Sequence, residues 1–108
     1  MKSEEVQQIA FQIILEAGEG KTNAHEAMKL MKEYKFDEAE AKLKEANDSF
    51  IKAHNAQTSL LHAYAGGEEI IMEIIMVHAQ DHLMTGMSYY DNAVELLDVY
   101  KKFAEMTD

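Results

Sequence analysis

A single apolar seam runs through the first third of the chain: Val6, Ala10, Ile13, Ala17, Gly20, Ala24, Ala27, Met31 and Tyr34 recur at alternating spacings of four and three residues. That period holds one stripe on one side of an α-helix, whereas a strand alternates every second residue. The phase survives Gly18 and Gly20. It therefore predicts one long first helix over about residues 3–33, with any bend at the glycines and with Gly20 a point of close approach. Asn23 followed by Glu26 leaves a capped restart as the alternative. Little else in the chain competes with helix. There is no proline, and the abundant Ala, Leu, Met, Glu and Lys lose little rotamer freedom in helical backbone.

Two interruptions divide the remainder. Phe36 and Asp37 close the first run, and Asp37 with Glu40 has the spacing of a capping box. A second helix is predicted over about 37–64, with the seam Phe36, Ala39, Leu43, Ala46, Phe50, Ala53, Gln57, Leu60 and Tyr64. Gln57 is its one polar member, with His54 and Thr58 nearby on the helix surface. Gly66-Gly67 then ends it. A third helix is expected over about 69–104, its core stripe being Met72, Met76, Ala79, Leu83, Met87, Tyr90, Val94 and Leu97. The predicted fold is all-α, an antiparallel up-down-up three-helix bundle forming a single domain over residues 1–108.

Charge and composition exclude several functions. Ten basic against twenty acidic residues give a net charge of -10, which repels nucleic acid and anionic membranes and suits a basic protein partner. With no cysteine there is no disulfide framework. No basic-then-apolar leader and no apolar run of membrane-spanning length is present, so a cytoplasmic chain is expected.

The third helix carries a second apolar stripe. At about 100° per residue, Ile70, Ile74, Val77, Asp81 and Met84 fall opposite its core stripe, so its N-terminal half is apolar all round. A small monomer cannot bury both sides, which predicts a closed symmetric oligomer of this chain. Asp81 lies in the self-contact stripe. Near a symmetry axis several such carboxylates would meet, and protons or a hard divalent cation with oxygen ligands would relieve their repulsion.

His78 precedes Asp81 by one turn, on the boundary of that stripe, and His82 follows on the same flank. Histidines in so apolar a helix are commonly core or interface residues bonded to partners such as Gln80, Gln57 or backbone. An i, i+4 histidine pair is also zinc-ligand spacing, but the string lacks the His-Glu-x-x-His pattern and any nearby cysteine, which disfavours zinc catalysis. The eight methionines read as core and interface filling. Lys42, Lys44, Glu38, Glu40 and Glu45 form a solvated face, and Asp91, Glu95, Asp98 and Glu105 an acidic side of helix three available for steering a basic partner.

The full strings are more specific than their spacing. Val77-His78-Ala79-Gln80-Asp81-His82-Leu83-Met84-Thr85 and Ala53-His54-Asn55-Ala56-Gln57-Thr58 stand with Ala17-Gly18, Phe36-Asp37-Glu38-Ala39 and Tyr100-Lys101. Together they resemble the lactose/cellobiose-type enzyme IIA of the bacterial sugar phosphotransferase system, over nearly the whole chain. The resemblance implies a cytoplasmic phosphocarrier and a homotrimer of three-helix subunits. Such a carrier accepts a phosphoryl group from phospho-HPr as a phosphohistidine and passes it to enzyme IIB, reaching the membrane enzyme IIC only indirectly. It implies that His78 is the phosphorylated residue. It also implies that Asp81 meets its symmetry mates around a metal ion, expected to be Mg2+ and one per trimer, on the axis. The imported sugar belongs by this resemblance to the lactose, cellobiose and chitobiose class, and the membrane partner selects it.

The chemistry suits the assignment. A neutral imidazole with one ring nitrogen held by a hydrogen bond presents the other in line with an incoming phosphorus, and catalysis is then positioning and charge stabilisation. Met76, Met84 and a neighbouring subunit are expected to exclude water from the phosphoramidate. Gln57 and Gln80 are candidates for orienting the ring or donating to the phosphoryl oxygens, or they satisfy each other. His82 and His54 are supporting candidates. The chain contains no arginine, so no guanidinium within it clamps the phosphoryl group. The alternative is a non-catalytic three-helix interaction module, since Tyr34-Lys35-Phe36-Asp37-Glu38-Ala39 also looks like the turn of such domains, although no repeat accompanies it.

Overall fold

Three helices carry almost every described residue: α1 (Ser3–Lys32), α2 (Phe36–Ala65) and α3 (Ile74–Met106). The computed structural model describes residues 1–106, and no strand occurs among them. α1 is continuous through both glycines, so nothing restarts at Asn23. Its buried residues are Val6, Ala10, Ile13, Ala17, Gly20, Ala24, Ala27 and Met31, the predicted seam up to its last member.

That last member, Tyr34, lies outside the helix because the chain turns on it. Tyr34 has φ 60. Its N–H donates to the carbonyl of Met31, and that of Lys35 to the carbonyl of Leu30, each at 3.0 Å, which satisfies the terminal carbonyls in a Schellman arrangement. A tyrosine in left-handed backbone costs about 1–2 kcal/mol. Contact with the Phe36 ring, 5.8 Å between centroids, offsets part of that. α2 ends by the same device on a residue suited to it. Gly67 has φ 90, and the N–H groups of Gly67 and Glu68 reach the carbonyls of Tyr64 and Ala63, each at 3.1 Å. The entry to α2 departs from expectation. Lys35 takes the N-cap position without a side-chain cap, so Asp37 and Glu40 form no capping box; Asp37 instead sits in the first turn, where its charge complements the helix dipole.

Cross-helix bonds fix the directions. Glu26 pairs with Lys42 at 3.2 Å, and Glu40 with Lys101, so α2 runs antiparallel to both neighbours. Gln7 donates to Glu73 at 2.7 Å and His25 bonds Tyr89 at 2.9 Å, so α1 and α3 are parallel. The result is an up-down-up bundle of 59 × 20 × 18 Å. Its register is set by Phe50, only 3% exposed. One part of the ring lies where a Cβ on Gly20 would stand 2.7 Å away, and another where a Cβ on Gly86 would stand 2.8 Å away. The α2 ring therefore rests on bare backbone of both α1 and α3, as the close-approach reading of Gly20 requires.

α3 differs from its predicted outline. It begins at Ile74, and residues 68–73 are not helical. The carboxylate of Glu73 accepts from Ser3 Oγ and Gln7 Nε2, tying this stretch to the start of α1, while its carbonyl accepts the N–H of Met76 at 3.0 Å. Met72, expected in the core, is exposed, and so is Tyr64 at the end of the α2 seam. Beyond Leu83 the buried residues are Gly86, Ala93 and Leu97; Met87 and Tyr90 are half-buried and Val94 is exposed. Apolarity favours the larger of two adjacent side chains, but the space beside the Phe50 ring admits only a glycine.

The two α1 glycines should respond oppositely to alanine. At Gly18 an added Cβ meets nothing within 4 Å, so Gly18→Ala should stabilise by about 0.5–1 kcal/mol through helix propensity. Gly20→Ala should destabilise by about 1–3 kcal/mol through overpacking on Phe50. Thermal unfolding of both variants checks the pair, and similar midpoints would refute the wedge.

Candidate functional site

His78, Gln80, Asp81 and His82 lie within the first three turns of α3, and helical geometry sorts the side chains there onto a core face, an opposite face and two flanks. Ala79, Leu83 and Met76 face the core, all fully buried. Opposite them run Ile74, Val77, Asp81 and Met84, all exposed, Ile74 at 88%. The second apolar stripe predicted from the sequence thus has no partner among the described residues of the chain, and a carboxylate interrupts it. Ile70 is half-buried and precedes the helix.

His78 and His82 share one flank between these faces. Their ring centroids are 4.6 Å apart with an 85° interplanar angle, an edge-on arrangement. His78 is exposed and His82 half-buried beneath it. Tyr89, whose hydroxyl meets His25 of α1, follows His82 by two turns on the same side. Since Tyr89 on this side is bonded to α1, the histidine flank is the one that borders α1. Spacing alone leads to this pair, and the fold adds its edge-on contact.

Gln80 projects to the other flank, toward α2. Gln57 Nε2 donates to its Oε1, and its own Nε2 donates to Met76 Sδ at 3.4 Å. The two amides do satisfy each other, and both are half-buried. Within one chain His78 and Gln80 are therefore not neighbours, since two residues of helix separate them by about 200° around the axis. Met76 and Met84, expected to flank the histidine together, are also separated: Met76 is core, beneath the amide pair, and Met84 lies on the exposed stripe. His54 is exposed on α2, on the groove with Asn47, Ile51 and Met87, away from the α1 side. Thr85 Oγ1 donates to the backbone carbonyl of Asp81 at 2.7 Å, and the Asp81 side chain is exposed.

Among the described residues, no three histidine or carboxylate side chains converge on one point. One chain thus offers a metal on the exposed stripe a single carboxylate, that of Asp81. The acidic residues Asp91, Glu95 and Asp98 are exposed, but they begin 13 residues beyond His78, roughly 20 Å along the helix, and Asp91 and Asp98 lie toward the α2 side.

Comparison with known proteins identifies the family of this fold. Residues 8–101 fit the family described as PTS system, lactose/cellobiose specific IIA subunit. The lichenan-specific phosphotransferase enzyme IIA component of Bacillus subtilis is 46% identical over 103 residues, 95% of this chain and 94% of the relative. The crystal structure of PtcA from S. mutans superposes with a TM-score of 0.92 at 54% identity, covering 94% of this chain and 99% of that one. The IIA(Chitobiose) of Escherichia coli, solved in complex with HPr, superposes at 0.79 with 28% identity over 92% of this chain and 96% of that one. In sequence, fold and length the chain belongs to the lactose/cellobiose-specific IIA subunits of the phosphotransferase system.

Proposed function

We propose that this phosphotransferase component carries its phosphoryl group on His78, receiving it from phospho-HPr and passing it to enzyme IIB, which serves the membrane enzyme IIC on the cytoplasmic side. The observation that carries this reading is the exposed His78 ring, set edge-on to His82 on the lip of an uncovered apolar stripe. A neutral imidazole nitrogen of His78 attacks the phosphorus of the donor phosphohistidine in line. The new P–N bond forms as the donor's P–N bond breaks, and the donor imidazole departs. His82 packs against the ring and restricts its orientation, so less freedom is lost on reaching the transfer geometry. The HPr complex of the E. coli relative supports the choice of donor. No described helix is long and apolar enough to cross a membrane, consistent with a partner that delivers to a membrane component without being one. The interaction-module alternative lacks any such support.

Assembly follows from α3. Ile74, Val77, Asp81, Met84 and Ser88 repeat at three- and four-residue spacing, the a and d positions of a parallel coiled-coil seam. Three copies around one axis cover that seam and form the homotrimer. Asp81 is then its polar a position, of the kind that fixes register and oligomer state at a cost in stability. Three Asp81 carboxylates facing the axis fit a hard divalent ion such as Mg2+, one per trimer, which would neutralise their repulsion; the transfer chemistry itself needs no group on the axis.

Three outcomes test this reading. His78→Ala should abolish labelling by phospho-HPr in a protein that still sediments as a trimer, whereas His25→Ala should change nothing; label retained without His78 would move the site. Asp81→Leu should lose divalent-ion binding, read by calorimetry, and remain trimeric, because an apolar side chain removes the same repulsion; a monomer would show the ion to be indispensable for assembly. The acceptance rate should fall steeply with added salt, since a chain of net charge -10 attracts a basic donor. Replacing Asp91, Glu95 and Asp98 by amides should act only through net charge at that distance from His78, and a flat salt profile would reject steering.

A further inference from the structure

The uncovered apolar side chains of α3 do not end at Met84. Val99, Phe103 and Met106 are exposed as well, Met106 at 82%. At about 100° per residue, Asn92, Val99, Phe103 and Met106 all fall within about 40° of Ile74 around the helix. Continued in strict heptads, the stripe would pass instead through Asp91, Glu95, Asp98, Lys102 and Glu105, all charged and about 60–140° away. The apolar stripe therefore leaves the heptad after Ser88. A straight helix outruns a seven-residue repeat by about 20° per heptad, so the outer stripe continues along α3 where the helix runs straight. It consists of two apolar blocks, and the gap between them holds Ser88 and Asn92. Both are exposed, and among the described residues neither side chain makes a hydrogen bond.

We infer that Ser88 and Asn92 form a level at which this chain recognises its own copies: the Asn92 amides of three copies pair on the axis and exclude a chain of the same fold that is apolar there. This rests on the homotrimer as the occupant of the stripe. Rotation preserves height along parallel helices, so each residue near the axis meets its own copies. Apolar blocks then cover apolar blocks, and three amides arrive at one level. Each Asn92 Nδ2–H donates to Oδ1 of the next copy, which closes a ring. Helical side chains lean toward the N-terminus, so the second Nδ2 hydrogen is directed to the Ser88 hydroxyls one turn below. A chain with an apolar residue at this level breaks the ring and leaves a buried amide unpaired. Polar levels of this kind lower stability and raise selectivity, because the wrong partner is penalised more than the right one.

The test is the composition of trimers refolded from two kinds of chain and weighed as intact complexes by mass spectrometry. Wild-type chains carrying two different tags should mix at the random share. Wild type with Asn92→Leu chains should give mixed trimers about tenfold below that share. Asn92→Ala, which adds no bulk, should segregate in the same direction, so the result does not depend on leucine fitting. Asn92→Leu alone should form trimers that melt higher than wild type, since an entirely apolar level has no amide to satisfy. Random mixing of wild type with both Asn92 variants would overturn self-recognition. Asp91→Leu, at the position a strict heptad brings to the axis, should mix with wild type at the random share; a departure there, with random mixing at Asn92, would show that the heptad continues and would remove Asn92 from the contact. A wild-type protein that sedimented as a monomer would defeat the homotrimer itself, a result separable from random mixing within trimers.

Discussion

Everything distinctive about this protein depends on α3 being apolar on two opposite faces while one chain covers only one of them. The inner face, through Met76, Ala79 and Leu83, is enclosed completely by α1 and α2. The outer face leaves Ile74, Val77 and Met84 in the open, with a carboxylate between them. Exposed apolar stripes of this kind mark contact surfaces, and this one borders the flank that carries His78, the proposed phosphoryl acceptor. Assembly and chemistry thereby share one short length of helix. In the proposed trimer, a subunit that failed to associate would lose the water-excluding surroundings of its histidine together with its oligomeric state.

The inner packing matters to function because it sets heights. Phe50 has a single seat, between the bare backbones of Gly20 and Gly86, and with that seat filled the three helices cannot slide past one another. Bonds from Glu73 to α1 at one end and from Lys101 to Glu40 at the other hold the same alignment. Individually the exposed ion pairs contribute little; Lys101, whose affinity for its proton is raised chiefly by the hydrogen bond to Glu40, is one of these. The wedge is what keeps Gln57 of α2 level with Gln80 of α3, so a substitution at Gly86 should reach the amide pair through register, without any contact to it.

How much of this was legible in the sequence follows from how each signal arises. Core seams on α1 and α2 were readable because a 3.6-residue period leaves a strong trace when one face is buried and the other wet. On α3 the trace was weak, since both faces are apolar. The choice of Val94 over Ala93 and the start at Met72 were consequently wrong, and Gly86 went unseen because a glycine carries no apolar signal. The α2 cap failed for a different reason: the chain enters from a left-handed Tyr34, and backbone bonds at that turn replace the side-chain cap. Both histidines and Asp81 were legible from type and spacing. The division of His78 and Gln80 between opposite flanks followed from the same helical arithmetic but was obscured by their closeness in sequence, and the Gln57 bond that makes the division meaningful needed the fold.

The most direct test of the account is to phosphorylate the intact protein with phosphoenolpyruvate, enzyme I and HPr and locate the group by nitrogen and phosphorus NMR while measuring mass by sedimentation. The account predicts an acid-labile phosphoramidate on a ring nitrogen of His78 in a protein that stays trimeric. A phosphoryl group on any other histidine, or on His78 of a free monomer, would contradict it.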